Sequence, residues 1–249
     1  MQSKKRYVQV ANPKTLGTDS IVVERIALGQ PNDYKPCIAE LPSGELLIVA
    51  FHHSEKGGRL YEDILIFRSK DGGKTWSKPA VHKELLGREP YLSVLKDGTL
   101  LMTVHHHSRD HRNKDGYIKS YIHRSVDAGR TWNTTSVTDE RIPSKTWTHT
   151  TRNVLELPDG SLLFGFSALR HDLNFIWRSF DKGTTWTEKY AAKFIDLRED
   201  YPGLLFAEMF LWQAKSGKLY GIARVDPSYF PPLPASALPG ENMGIRRSG

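Results

Sequence analysis

Apolar and polar positions alternate along this chain in short runs, and the runs recur. Four segments share one pattern: LPSGELLIV over 41–49, LKDGTLLMTV over 95–104, LPDGSLLFGF over 157–166 and AKSGKLYGIA over 214–223. Each sets a polar turn closed by glycine between apolar runs of strand length, which predicts a β-hairpin with a two-residue turn at Gly44, Gly98, Gly160 and Gly217. A further apolar run follows each of the first three hairpins, at 63–68, 117–124 and 173–178. No segment sustains an apolar repeat of 3.6 residues, so helical repeats are excluded.

A second signature follows these runs. Residues 69–76 read SKDGGKTW, 125–132 read SVDAGRTW and 179–186 read SFDKGTTW, three copies of S-x-D-x-G-x-T-W spaced by 56 and then 54 positions. The chemistry is that of a turn: Asp bonds to the backbone ahead of it, Gly adopts positive φ, Ser and Thr close side-chain bonds, and Trp drops into the core. Asp71, Asp127 and Asp181 are therefore read as structural. Three strands up to each box and one after it make four-stranded units at a period of about 55 residues, the signature of the blades of a β-propeller.

The units predict an all-β chain forming one domain over 1–249, with about four blades present. Arg247, Ser248 and Gly249 repeat the start of a box, with the Pro-rich stretch 229–240 lengthening the interval. The chain therefore reads as C-terminally truncated, with a partial box at 248–249. Blades opened at the chain's end would expose strand edges and favour self-association.

Composition narrows the function. The charge is +7 and the isoelectric point about 9.4, which favours anionic partners. The basic residues are scattered, so no nucleic-acid arm is read, and no apolar run is long enough to cross a membrane or serve as an export signal. The localisation stays open: cytoplasmic if Met1 is the native start, with secretion left as an alternative. The single cysteine, Cys37, is read as packing.

By register, candidate chemistry gathers where the innermost strand of each blade begins and where the second ends. The first set is Lys35, Arg88, Arg152 and Glu208; the second includes His52, His53, His105 to His107, Ser167 and Arg224. Lys and Arg at such a mouth suit an anionic ligand, because guanidinium groups pair bidentately with carboxylates. Histidines offer a base or a ligand set, but neighbouring residues on a strand face opposite ways, so no metal and no cofactor is assigned.

The three boxes resemble the Asp boxes of the sialidase-like, or BNR-repeat, propellers, a resemblance that implies a six-bladed architecture. The stretch 207–224, AEMFLWQAKSGKLYGIAR, is similar to the sialidase segment in which a Glu and an Arg lie sixteen positions apart. That resemblance implies that Glu208 draws the proton from a nucleophilic Tyr and that Arg224 is one of three arginines gripping a substrate carboxylate. It places Lys35, in YKPC, where the family carries the Arg of an R-I-P motif, and Arg88 opens an R-x-P one blade later. The acid/base Asp is implied in the loop after His53, where Glu55, Glu62 and Asp63 lie, with Asp63 the candidate. The Tyr and the third Arg are placed beyond Gly249.

The resulting expectation is a sialidase-like glycoside hydrolase acting on an acidic glycan, with Glu208, Asp63, His53 and His105 as catalytic candidates and Arg224, Lys35, Arg88 and Arg152 binding substrate. Two alternatives stand beside it. A propeller lyase would use His105 or a neighbour to take a proton from a uronate, and a propeller without chemistry would bind a glycan or a protein.

Overall fold

The computed structural model describes residues 26–138, 145–168, 173–187 and 204–227. Every described element is a strand. The first sheet orders β1 (Asp33–Glu40), β2 (Leu46–Lys56), β3 (Arg59–Ser69) and β4 (Ala80–Leu86); the second orders β5 (Arg88–Val94), β6 (Leu100–His106), β7 (Lys119–Ser125) and β8 (Asn133–Ser136). Three strands of a third sheet follow, β9 (Thr148–Glu156), β10 (Leu162–Ala168) and β11 (Leu173–Ser179), and then the pair β12 (Leu204–Gln213) and β13 (Leu219–Pro227). All named pairings are antiparallel between chain neighbours. The described residues form an all-β fold of the propeller type. The partial fourth box at 248–249 lies outside the described residues.

The innermost strands run in series, β1 against β5, β5 against β9 and β9 against β12. Apolar clusters fill the space between consecutive sheets. Leu47, Val49, Phe51, Ile64 and Ile66 of the first sheet meet Leu92, Leu100, Met102 and Val104 of the second. Leu101 and Ile122 of the second meet Phe164, Phe166 and Trp177 of the third, and Leu163 and Ile176 of the third meet Met209 and Leu211 of the fourth. Each of these large side chains contributes about 1.5–3 kcal/mol by leaving water, so neighbouring blades depend on one another for their cores.

Side chains also stitch one inner strand to the next backbone. The Cys37 thiol accepts from Leu92 N at 3.4 Å, Ser93 Oγ accepts from Val154 N at 3.0 Å, and Asn153 both accepts from Leu211 N (2.9 Å) and donates to Leu211 O (2.8 Å). Cys37 is half-buried with its thiol pKa raised by burial, so its place is in packing.

The turns at the hairpins differ from the two-residue expectation. Leu41 pairs with Glu45, Gly44 N donates to Leu41 O at 2.8 Å, and Gly44 has φ +81°. The same bonds recur at Leu95–Thr99, Leu157–Ser161 and Ala214–Lys218. These are three-residue loops in which glycine takes the left-handed position after a type I turn; apolar runs alone do not distinguish a two-residue from a three-residue loop.

The boxes are built as their chemistry predicts. Asp71 Oδ1 accepts from Ser69 Oγ and Thr75 N, Asp71 Oδ2 accepts from Thr75 Oγ1 at 2.6 Å, and Ser69 Oγ accepts from Gly73 N. Asp127 and Asp181 repeat the set. The tryptophans are only partly buried: Trp132 and Trp186 rest against the clusters on the side of the preceding blade. The Arg before each of the first two boxes reaches the next one, Arg68 donating to Ala128 O and Gly129 O and Arg124 to Lys182 O, whereas Arg178 donates to Asp159 and Ser161 of its own blade.

Candidate functional site

The inner strands begin with a bulge, and the bulge builds the site. Between Tyr34 and Cys37 of β1, between Arg88 and Tyr91 of β5, and between Ala207 and Phe210 of β12, two residues oppose one on the partner strand. The first bulge residue in each case is Lys35 (φ 50°), Glu89 (φ 53°) and Glu208 (φ 48°). A non-glycine residue at positive φ is uncommon and costs about 1–3 kcal/mol. Its recurrence at three equivalent positions in three blades turns three charged side chains toward one place.

They meet there in an alternating chain of charge. Lys35 Nζ lies 3.0 Å from Glu89 Oε2, Arg152 Nη2 lies 3.3 Å from Glu89 Oε2 and 2.6 Å from Glu208 Oε2, and Arg224 Nη1 lies 2.5 Å from Glu208 Oε1. Arg88 joins at the side, with Nη2 3.4 Å from Glu89 Oε1, Nη1 3.3 Å from Glu62 Oε1, and its guanidinium 5.2 Å from the Phe51 ring centre. Four cations thus face three carboxylates drawn from four blades. Lys35 and Arg224 remain 46% and 47% exposed, so the chain of charge is open to a ligand.

The electrostatics sort the carboxylates. Burial raises the Glu208 pKa, but Arg152, Arg224 and Lys35 outweigh it and hold the group below its ordinary value. Glu208 is therefore an anion at neutral pH, able to accept a proton and unable to donate one. Glu62 goes the other way: its side chain has no exposure, and desolvation raises its pKa against the pull of Arg88 and His53.

The sequence register needs one adjustment. Arg88 and Arg152 are not equivalent to Lys35 and Glu208: Arg88 precedes the bulge position and Arg152 lies within the irregular stretch of β9 between Thr150 and Val154. Glu89 occupies the equivalent position in the second blade. It is legible as the residue nine before Gly98, as Lys35 is nine before Gly44 and Glu208 nine before Gly217, although the sequence reading singles out its neighbour Arg88.

The remaining candidates lie around this chain of charge. His53 is 43% exposed, with Nδ1 3.7 Å from Glu62. Asp63 pairs with Arg112 at 2.6 Å, on the loop joining β6 to β7, rather than with any member of the cluster. His105 is buried, its ring centre 3.8 Å from that of His149, and burial together with its cationic neighbours keeps it neutral. The adjacent histidines scatter: His106 faces Asp110 at 3.6 Å, His107 Nδ1 accepts from Arg109 N, and His111 packs on Tyr61. No group of three or more His, Cys, Asp or Glu among the described residues could hold a metal ion, and no described helix is long and apolar enough to cross a membrane.

Comparisons with known proteins bear on the fold. Solved structures similar in fold include a protein of unknown function from Dyadobacter fermentans (TM-score 0.53, 19% identity, 79% of this chain and 61% of that one). The α-L-arabinofuranosidase from Fusarium graminearum in complex with an iminosugar inhibitor matches with TM-score 0.59, 18% identity and 82% and 59% coverage. The leech intramolecular trans-sialidase complexed with 2,7-anhydro-Neu5Ac matches with TM-score 0.58, 12% identity and 85% and 50% coverage. The chain spans between 50% and 61% of these structures' lengths, and at such identities the likeness is one of fold. Among curated proteins no relative matches the chain. The family model described as BNR repeat-like domain matches residues 17–216, and the chain belongs to that family.

Proposed function

We propose that the chain is part of a glycoside hydrolase acting on an acidic glycan, with a sialoside-like sugar as its substrate. The observation that carries the reading is the Glu208 carboxylate, held between Arg152 and Arg224 at 2.6 and 2.5 Å where the inner strands begin. Four cations against three carboxylates leave an excess of positive charge, larger still when Glu62 is protonated, and a ligand carboxylate fits that excess. Lys35 and Arg224, the most exposed cations, meet it first.

Glu208 acts as the base in this reading. An anionic carboxylate fixed by two guanidinium groups can draw a proton from a neutral nucleophile, and the neutral nucleophile then attacks a cationic anomeric centre without repulsion from the substrate's own carboxylate. A tyrosine in that role is the exception among glycosidases. Fixed cations also orient the sugar, which supplies part of the rate. In this reading His53 and Asp63 are further candidates for the acid/base role.

One observation favours a second reading. Arg152 Nη2 is 3.3 Å from Glu89 and 2.6 Å from Glu208, so the two carboxylate oxygens lie no more than about 6 Å apart, a bound that the roughly 5–5.5 Å separation of retaining carboxyl pairs satisfies. Such a pair would cleave a neutral sugar, and one similar solved structure is an arabinanase complexed with arabinobiose. Fluorogenic sialoside and arabinofuranoside, offered side by side to the full-length protein, separate the two. Cleavage of the sialoside supports the acidic-glycan reading; cleavage of the arabinofuranoside alone replaces it with the neutral one.

A further inference from the structure

Glu62 is set apart from every other carboxylate near the mouth. Its side chain has no exposure, and neither oxygen receives a hydrogen bond among the described residues. Asp110, buried beside it, is bonded by Glu62 N, Arg112 N, Arg112 Nε and Arg112 Nη2, and Arg112 also takes Asp63. Glu89 and Glu208 have the Lys35, Arg152 and Arg224 contacts already described. A buried carboxylate without donors is costly in its charged form, so Glu62 is the carboxyl of this cluster that takes up a proton most easily.

The groups facing Glu62 come from each element packed on it: Arg88 of β5 at 3.3 Å, His53 of β2 at 3.7 Å, and Asp110 and His106 from the end of β6 and the loop after it. Arg88 is the one that also reaches the mouth. Its Nη1 goes to Glu62 and its Nη2 to Glu89, with Phe51 fixing the plane from one side. An ionised Glu62 cancels much of the charge that Arg88 presents to a ligand; a protonated Glu62 releases it.

We infer that Glu62 is a positioning residue that couples anion binding at the mouth to uptake of one proton, by holding and neutralising Arg88 when the mouth is empty. The proton goes from solvent to the Glu62 carboxylate, and no bond in the ligand changes. An arriving anion draws on Arg88 and adds negative charge near Glu62, and both effects favour the neutral acid. Linkage then requires that affinity for the anion rise as pH falls through the window in which the proton is taken up. The inference rests on the reading that the mouth takes an anionic ligand, but not on which sugar carries it.

The test is sulfate binding to the full-length protein by calorimetry from pH 4.5 to 8, in buffers of differing ionisation heat. Sulfate itself does not titrate across that range. Wild type takes up as much as one proton per sulfate, and within the linkage window its Kd rises by up to about tenfold per pH unit. E62Q, which keeps the shape and removes the titration, takes up none, and its Kd is flat at the wild-type low-pH value. R88Q serves if E62Q does not fold, because without Arg88 the coupling disappears. Absence of sulfate binding, binding without proton uptake, or wild-type uptake in either variant overturns the inference. Uptake lost in H53Q also overturns it, by placing the proton on His53. Sulfate-linked uptake in a protein that cleaves no acidic glycoside removes the proposed substrate and leaves this coupling standing; the reverse pattern removes only the coupling.

Discussion

Arg152 and Glu208, carried by the inner strands of adjacent blades, meet at 2.6 Å at the mouth of the propeller. The pair depends on the positive φ of Glu208 and on the stitch beneath it, where Asn153 binds both backbone groups of Leu211. Site and inter-blade packing are thus one structure, and each can be probed separately.

Asn153→Ala leaves Leu211 N and Leu211 O without their side-chain partner in a buried setting. Two lost hydrogen bonds and their desolvation penalties predict a loss of about 2–4 kcal/mol, read as a lower midpoint in urea unfolding. A change below about 0.5 kcal/mol would mean that the Asn153 stitch contributes nothing to holding the third and fourth sheets together.

Two glycines separate backbone strain from packing. Gly44 and Gly183 both have φ near +81°, but a Cβ on Gly44 meets nothing within 4 Å, whereas one on Gly183 falls 2.8 Å from Leu101 Cδ2. G44A is predicted to cost about 1–2 kcal/mol for the left-handed backbone; G183A adds a clash in the second cluster and costs more. Equal losses in thermal unfolding would refute the difference.

The boxes predict acid behaviour. Hydrogen bonds from Thr75 and Ser69 lower the Asp71 pKa from 3.8 to about 2. A depressed folded-state pKa gives stability that is fully present above about pH 4 and lost as pH falls toward 2. Melting temperatures of wild type and D71N therefore differ at pH 7 and converge between pH 4 and 2. A constant difference across that range would show that the Asp71 charge contributes nothing.

Much of this architecture was legible in the sequence, because the repeat is written in turn chemistry. Ser69, Asp71, Gly73 and Thr75 bond to one another within seven residues, so their spacing alone dictates the turn, and the apolar runs around Gly44 and Gly98 dictate the strands. The site was legible only in part. Lys35, Arg152, Glu208 and Arg224 were found by counting from the hairpin glycines, but the bulge at Tyr34–Cys37 and its counterparts shift the register by one residue, which no local pattern records. Glu89 has the same nine-residue spacing from its hairpin glycine as Lys35 and Glu208, but Arg88 beside it carries the charge expected of a mouth that binds anions. Glu62 was one of three acidic residues in an ambiguous loop, and its burial against Arg88 depends on how two blades pack, a contact between residues distant in sequence.

The most direct test of the proposed site is steady-state turnover of a fluorogenic sialoside by E208Q. Gln keeps the size of Glu208 and can still accept from Arg152, but it cannot take a proton. The account predicts a fall in kcat of at least about 100-fold, with KM changed by less than about threefold. A kcat equal to that of wild type would contradict it and remove Glu208 from the chemistry.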